Sequence, residues 1–302
     1  MTGLVLEGGA MRGLFSAGVL DVLMENGIKF DNVIGVSAGA CFGCNYVSGQ
    51  IGRAIRYNMK YAKDKRYCSV SSLIRTGDIF GAKFCYHTLP MELDKFDEAA
   101  FVASGIPFYV VVTDVETGEA GYHRMDDASP VEMEWMRASS SMPLVSNIVE
   151  IEGGKYLDGG VTDSIPLRAS EALGCNRNVT ILTKPRGYRK SYDRTVPLLK
   201  MKFKDYPNLV HASKVRHIAY NEQFDYCLKQ EKAGSNFVIC PKSPLPIGHI
   251  CHDPLVMREV YELGRSEANE LMPGLLRFME FQSGRKCLWS LRSSRVFLAY
   301  VM

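Results

Sequence analysis

A serine with glycine two residues away on either side, Gly35-Val36-Ser37-Ala38-Gly39, is the stretch of this 302-residue sequence with most chemical content. In this spacing the glycines permit a strained turn from a strand into a helix, which pushes the serine hydroxyl out at the end of a sheet as a nucleophile. Alone the pattern is weak, since a random chain of this length and composition carries it about 0.2 times. Its surroundings add weight. Val33-Ile34-Gly35-Val36 is an apolar, strand-like approach, and Ala38 to Val47 is a small-residue segment able to continue as a closely packed helix.

A second element is the glycine loop Gly8-Gly9-Ala10-Met11-Arg12-Gly13. Free backbone N–H groups of Gly8, Gly9 and Ala10 in such a loop can hold a developing oxyanion. Two parallel strands joined by a right-handed helical crossover place both strand-to-helix loops at the same carboxyl edge of the sheet, so this loop and Ser37 are expected to meet. A dinucleotide fingerprint is the rival reading. It fails at its second glycine, where Ala10 stands, and the next strand ends in a serine rather than an acidic ribose ligand. A Walker phosphate loop is excluded, because no G-K-[ST] follows.

A serine hydroxyl is a poor nucleophile until a base takes its proton. Asp158 is the candidate base: Gly159 and Gly160 after it permit a sharp turn and close approach to another backbone. An isolated D-G-G is more commonly a surface turn. The alternative keeps Ser37 but pairs it with a histidine in a Ser-His-Asp arrangement, with His249 or His252 as partner. His87, His123, His211 and His217 read as surface or structural residues.

The elements that must position these groups follow from hydrophobic periodicity. Leu4-Val5-Leu6 reads as a strand, Arg12 to Glu25 as a helix stopped by Asn26-Gly27, and the opening is therefore β-α-β-α. Residues 50–100 mix basic and aromatic side chains at near-helical spacing, with a glycine break at Gly77 to Gly81, and predict a helical cover. Phe108 to Thr113 is a β-branched strand returning through Ala120 to His123. A hairpin is expected at Gly153-Gly154 between Ile148-Val149-Ile151 and Tyr156-Leu157. A helix from Pro166 to Leu173 and a core strand from Asn178 to Leu182 complete the reading.

The three motifs, G-G-A-M-R-G, G-V-S-A-G and D-G-G in this order and spacing, resemble the patatin-like phospholipase family, and the resemblance extends over residues 4–185. Ala138-Ser139-Ser140-Ser141-Met142-Pro143 and Ile165-Pro166-Leu167 fit the same picture. It implies a three-layer α/β fold with a mostly parallel central sheet, flanking helices and a helical cover, in a single catalytic domain over residues 1–282. It also implies Ser37 as nucleophile, Asp158 as its proton acceptor, and Gly8, Gly9 and Ala10 as the oxyanion hole. Arg12, Gly13, Gly35, Gly39, Gly159 and Gly160 are supporting motif positions. Many members carry glycine where Ala10 stands. The implied activity is hydrolysis of carboxylic esters of phospholipids or other lipids through an acyl-enzyme, without metal or cofactor. A catalytically silent lipid-binding protein is the alternative from another class.

Composition sets the remaining bounds. With 36 basic and 33 acidic residues and 46% apolar content, the chain is an ordinary globular sequence whose charge balance does not point to nucleic acid. No basic segment followed by a long apolar run opens it, and no run of about 18 apolar residues occurs, which predicts a cytoplasmic protein touching membranes at most peripherally. Nine scattered cysteines, Cys41 and Cys44 among them, read as packed thiols rather than a redox or metal pair. Lys184 to Lys204 carries eight basic residues against one acid, Asp193; it reads either as a solvated loop or as a patch for anionic lipid headgroups. Tyr57, Tyr61, Tyr67, Ile79, Phe80 and Phe84 serve equally as core or as the wall of an acyl channel. The tail from Ser283 to Met302 has no assigned role.

Overall fold

In the computed structural model, which describes residues 1–280, the first apolar run forms β1 (Thr2–Leu6), and the glycine loop leads through a 3-10 turn (Ala10–Arg12) into α1 (Gly13–Glu25). β2 (Asn32–Val36) and α2 (Ala38–Val47) follow, giving the β-α-β-α opening that the periodicity predicts. Every residue of both strands is buried. Such strands read as continuous apolar runs because helices cover both faces of the sheet.

The cover between α2 and the next strand comprises α3 (Arg53–Tyr61), α4 (Val70–Thr76), a π-helical stretch (Phe84–Leu93) containing Pro90, and α5 (Glu98–Ala103). α4 starts at Ser69, whose hydroxyl accepts from Ser72 N–H, and stops at Gly77 with φ of 82°. Arg53 and Arg56 tie α3 to Asp94 at the end of the π-helical stretch.

β3 (Phe108–Asp114) pairs with the returning β4 (Ala120–Met125), and α6 (Pro130–Ser139) then leads to the hairpin of β5 (Val149–Ile151) and β6 (Gly154–Asp158). Glu152 and Gly153 both have positive φ in its two-residue turn, which matches the twist of the flanking strands. α7 (Leu167–Ala172), β7 (Arg177–Ile181), α8 (Val196–Lys202), α9 (Pro207–Ala233), β8 (Asn236–Ile239) and α10 (Pro254–Glu280) complete the described chain. The tail from Ser283 to Met302 lies outside it.

β3, β2, β1, β7 and β8 run parallel in that order, and β4, β5 and β6 are the antiparallel members of the same sheet. Alternate residues feed two cores. Leu4, Leu6, Val33, Phe108 and Val110 pack with α1, α2 and α10, while Val5, Ile34, Val36 and Val111 pack with Leu167 of α7 and Tyr220 and Phe224 of α9. The result is the expected helix–sheet–helix sandwich. α10 lies directly on α1: a methyl group added at Gly264 would fall 2.0 Å from the Phe15 carbonyl oxygen. Among the described residues, no helix is long and apolar enough to cross a membrane.

The register around β3 decides what meets at the sheet edge. β2 and β4 both pair with residues 108–111 and so occupy opposite edges of β3. β6 pairs with residues 112–114, and β4 also pairs with 112 and 113, so β6 lies on the β2 edge. β2 therefore ends where β6, running the other way, also ends: Val36 is opposite Val111, and Asp158 is opposite Val112.

Candidate active site

Ser37 stands at the turn between β2 and α2 with φ of 55° and ψ of −122°, a conformation that non-glycine residues rarely adopt. The turn is held from below. Ser37 N–H donates to Ser139 Oγ at 3.0 Å, and the fully buried Ser139 hydroxyl donates onward to the Val111 carbonyl at 2.7 Å. Two glycines allow the close packing: a methyl at Gly35 would lie 2.7 Å from Ala40 N, and one at Gly39 would lie 2.5 Å from the Leu6 carbonyl oxygen. A side chain at Gly35 would drive α2 away from β2, and one at Gly39 would drive it away from β1.

The glycine loop abuts this turn. A methyl at Gly8 would sit 3.1 Å from Ser37 Cβ, and the Gly8 carbonyl accepts from Thr183 Oγ1 at 3.3 Å. Arg12 N–H donates to the Gly9 carbonyl at 3.1 Å and Met11 N–H to the His249 carbonyl at 3.4 Å. The N–H groups of Gly8 and Gly9 have no acceptor among the described residues, and Ala10 opens the 3-10 turn, where N–H groups lack an internal partner. Ala10 adopts φ of 49°, so this position demands the left-handed conformation in which glycine is free of strain. Gly13 begins α1 against Ala38.

Asp158 is buried at the end of β6. Its N–H donates to the Ser141 carbonyl at 2.9 Å, its own carbonyl accepts from Thr113 Oγ1 at 2.9 Å, and its carboxylate accepts from Gly160 N–H at 2.7 Å. Gly159 and Gly160 form the 3-10 turn beyond it. Burial raises the Asp158 pKa above the ordinary aspartate value; Arg216, the Gly160 N–H, the Ser37 hydroxyl and Lys190 pull the other way. A carboxyl so raised is a stronger proton acceptor than a free aspartate.

Two cavities meet at Ser37. The first, about 120 Å³, is mainly apolar and is lined by Met11, Phe42, Leu89, Met133 and Met136 together with Tyr57, Tyr67 and Phe80 of the cover. Tyr61, Ile79 and Phe84, which the sequence could equally have put on that wall, are core residues instead. The second, about 390 Å³, contains Ser37, Asp158, Gly8, Gly9, Ala10 and Arg12. Cys41 and Cys44 line the first; burial raises both thiols, that of Cys44 to about 12, so they pack as neutral groups.

The C-terminal part, where the motifs are silent, supplies much of the second cavity. Ser213, Arg216 and Tyr220 come from α9, and His249 and Ile250 from the loop before α10. Glu7, at the end of β1, is buried beneath them and accepts from Tyr220 Oη at 2.6 Å and from Thr183 N–H. His249 lies in the cavity, but its Nε2 meets Arg12 Nη2 at 3.3 Å, and burial beside Arg12, Lys190, Lys184 and Arg216 lowers its pKa to about 4. His252 bonds the Ala62 carbonyl through Nδ1 at 2.8 Å and does not line either cavity. His87 pairs with Glu134, and His123 pairs with Glu132 while stacking on Trp135.

The basic run divides. Arg186 and Arg189 form ordinary surface ion pairs with Glu231 and Asp225, whereas Lys184 and Lys190 turn into the second cavity. Their partners lie some forty residues onward, so local charge counting did not separate the two groups.

A family profile described as patatin-like phospholipase matches residues 4–170, and a second, described as a domain of unknown function (DUF6363), matches residues 206–280. The uncharacterized protein YjjU of Escherichia coli K12 is 31% identical over 196 residues, 60% of this chain and 52% of that protein. Lysophospholipase nte1 of Emericella nidulans is 30% identical over 185 residues, 58% of this chain and 11% of that protein. The chain thus spans about half the length of the first relative and a small part of the second. The crystal structure of VipD from Legionella pneumophila superimposes with a TM-score of 0.44 at 14% identity, over 90% of this chain and 67% of that one. With the first profile covering more than half of its residues, the chain belongs to the patatin-like phospholipase family.

Proposed function

We propose that this protein is a serine acyl hydrolase that cleaves carboxylic esters of phospholipids or other lipids through Ser37 and Asp158. The observation that carries the reading is the convergence at β3, where β2 and β6 end face to face and bring a strained, buried serine to a buried carboxylate. In the proposed cycle Asp158 accepts the Ser37 proton as the hydroxyl attacks the ester carbonyl. The N–H groups of Gly8, Gly9 and Ala10 receive the oxyanion. The protonated Asp158 then gives its proton to the leaving alcohol, and water, activated by the same carboxylate, releases the acyl group from Ser37.

The apolar cavity under the cover suits the acyl chain, and the polar one suits the alcohol portion. A Ser-His-Asp arrangement is disfavoured by His249, whose lowered pKa makes it a weak base at neutral pH and whose ring faces a guanidinium rather than a carboxylate. Hydrolysis of a panel of glycerolipid esters tests the proposal: wild type should release fatty acid and Ser37→Ala should not. Saturable lipid binding without ester cleavage across the panel would assign the fold to lipid binding instead.

A further inference from the structure

The second cavity carries four cationic side chains that neither make nor break a bond in the proposed hydrolytic cycle. Arg12 enters from the glycine loop, Lys184 and Lys190 from the segment after β7, and Arg216 from α9. None of these four forms an ion pair among the described residues. Arg12 Nε is buried without a hydrogen-bond partner. Three carboxylates nearby, Glu7, Asp158 and Asp193, attract these cations at a distance, but their hydrogen bonds go to neutral groups: Glu7 takes Tyr220 and Thr183, Asp158 takes Gly160, and Asp193 takes Thr195. The cations act on one another as well. Lys190 is lowered to about 8 by burial, with Arg216, Arg12 and Lys184 adding to the effect, and Lys184 is lowered by burial and Arg12. Three separate segments therefore hold four cations against three carboxylates at the mouth of the Ser37 pocket, two of which, Glu7 and Asp158, burial pushes toward the neutral form, and the excess positive charge is what an anion would relieve.

We propose that Arg12, Lys184, Lys190 and Arg216 form a subsite for a phosphate group on the alcohol side of the ester, so that the preferred substrates are acyl glycerophosphates. This rests on the acyl hydrolase reading and narrows its substrate class. Guanidinium forks and lysine point charges are the side chains that recognise phosphate, and four of them suit a phosphate monoester better than a neutral alcohol. The subsite also gives the C-terminal layer a part in the chemistry, since Arg216 belongs to α9.

The test compares a 1-acylglycerol 3-phosphate with the 1-acylglycerol of the same chain, in wild type and in a Lys184→Gln/Lys190→Gln variant. Wild type should favour the phosphate ester in kcat/KM, and the variant should lose about 10- to 100-fold of that preference. A Lys184→Arg/Lys190→Arg variant should restore it, which a merely structural role would not require. A preference that survives the Gln variant with its thermal melt intact overturns the subsite. Inorganic phosphate separates the sources of the anion: inhibition by free phosphate in a wild type that shows no preference for the phosphate ester would assign the site to a free anion and overturn a lipid headgroup. Labelling of Ser37 by a fluorophosphonate in the same samples keeps the two readings apart. Labelled Ser37 with no phosphate preference leaves the hydrolase reading standing and removes the subsite. If wild type hydrolyses neither ester, calorimetric titration of 1-acylglycerol 3-phosphate decides: binding that the Gln variant loses supports the subsite, and no binding overturns it.

Discussion

Ser139→Ala isolates the device that holds Ser37 in its strained turn. Ser139 Oγ accepts from Ser37 N–H at 3.0 Å and donates to the Val111 carbonyl at 2.7 Å, and the residue is fully buried. Alanine removes both bonds while adding no bulk. The Ser37 N–H is left buried without an acceptor at about 1–3 kcal/mol, and the lost bond to Val111 adds about 0.5–1.5 kcal/mol. Together these predict a loss of about 1.5–4.5 kcal/mol, a large share of the about 5–15 kcal/mol that holds a typical domain folded. The turn should also relax toward ordinary backbone angles, and a displacement of about 1 Å at Ser37 is enough to lower its reactivity about 100-fold. Urea unfolding and the rate of fluorophosphonate labelling measure the two effects in one preparation. Stability within about 0.5 kcal/mol of wild type together with an unchanged labelling rate would refute the role given to Ser139.

Further outcomes follow from the same geometry. Burial raises the Asp158 pKa, so over the interval between the ordinary value of 3.8 and the raised one the native state keeps a proton that the unfolded chain has released; stability from this group falls as pH rises through that interval. Asp158→Asn should accordingly melt higher than wild type at neutral pH, and an unchanged or lower melting temperature would contradict the buried charge. The acid limb of the activity profile should lie above the ordinary aspartate range for the same reason, as kcat/KM against pH will read. Gly39→Ala, whose methyl would fall 2.5 Å from the Leu6 carbonyl oxygen, should cost at least about 2 kcal/mol in urea unfolding. Native Cys44, raised to about 12, should resist iodoacetamide at pH 8 and react only after unfolding. His249→Ala should retain Ser37 labelling, whereas a triad histidine would lose about 1,000-fold or more.

The elbow, the glycine loop and the core strands were legible because each is a local pattern. Gly35, Ser37 and Gly39 carry the turn in five residues, and β1, β2 and β3 announce themselves as apolar runs. The proposed partnership of Ser37 with Asp158 rests, in the sequence, on the D-G-G motif and the family resemblance, and what brings the two residues to one sheet edge is non-local. β6 must approach β3 antiparallel on the edge that β2 vacates, and nothing near Asp158 in the sequence states that edge. Ser139 was visible only as part of a serine-rich stretch, since its two partners lie 102 and 28 residues away. The second cavity was the least legible part. Arg216 and Tyr220 sit in a long helix with little amphipathic pattern, and His249 in a loop, so only packing brings them beside Arg12. Lys184 and Arg186, two residues apart, have opposite surroundings for the same reason.

Covalent labelling by an alkyl fluorophosphonate, mapped by mass spectrometry in wild type and Asp158→Asn, goes most directly to whether Ser37 is activated by Asp158. Stoichiometric modification of Ser37 that falls at least about 100-fold in rate in the folded Asp158→Asn protein is the expected result. A folded wild type that takes no label, or a label that arrives as fast without the Asp158 carboxylate, would contradict it.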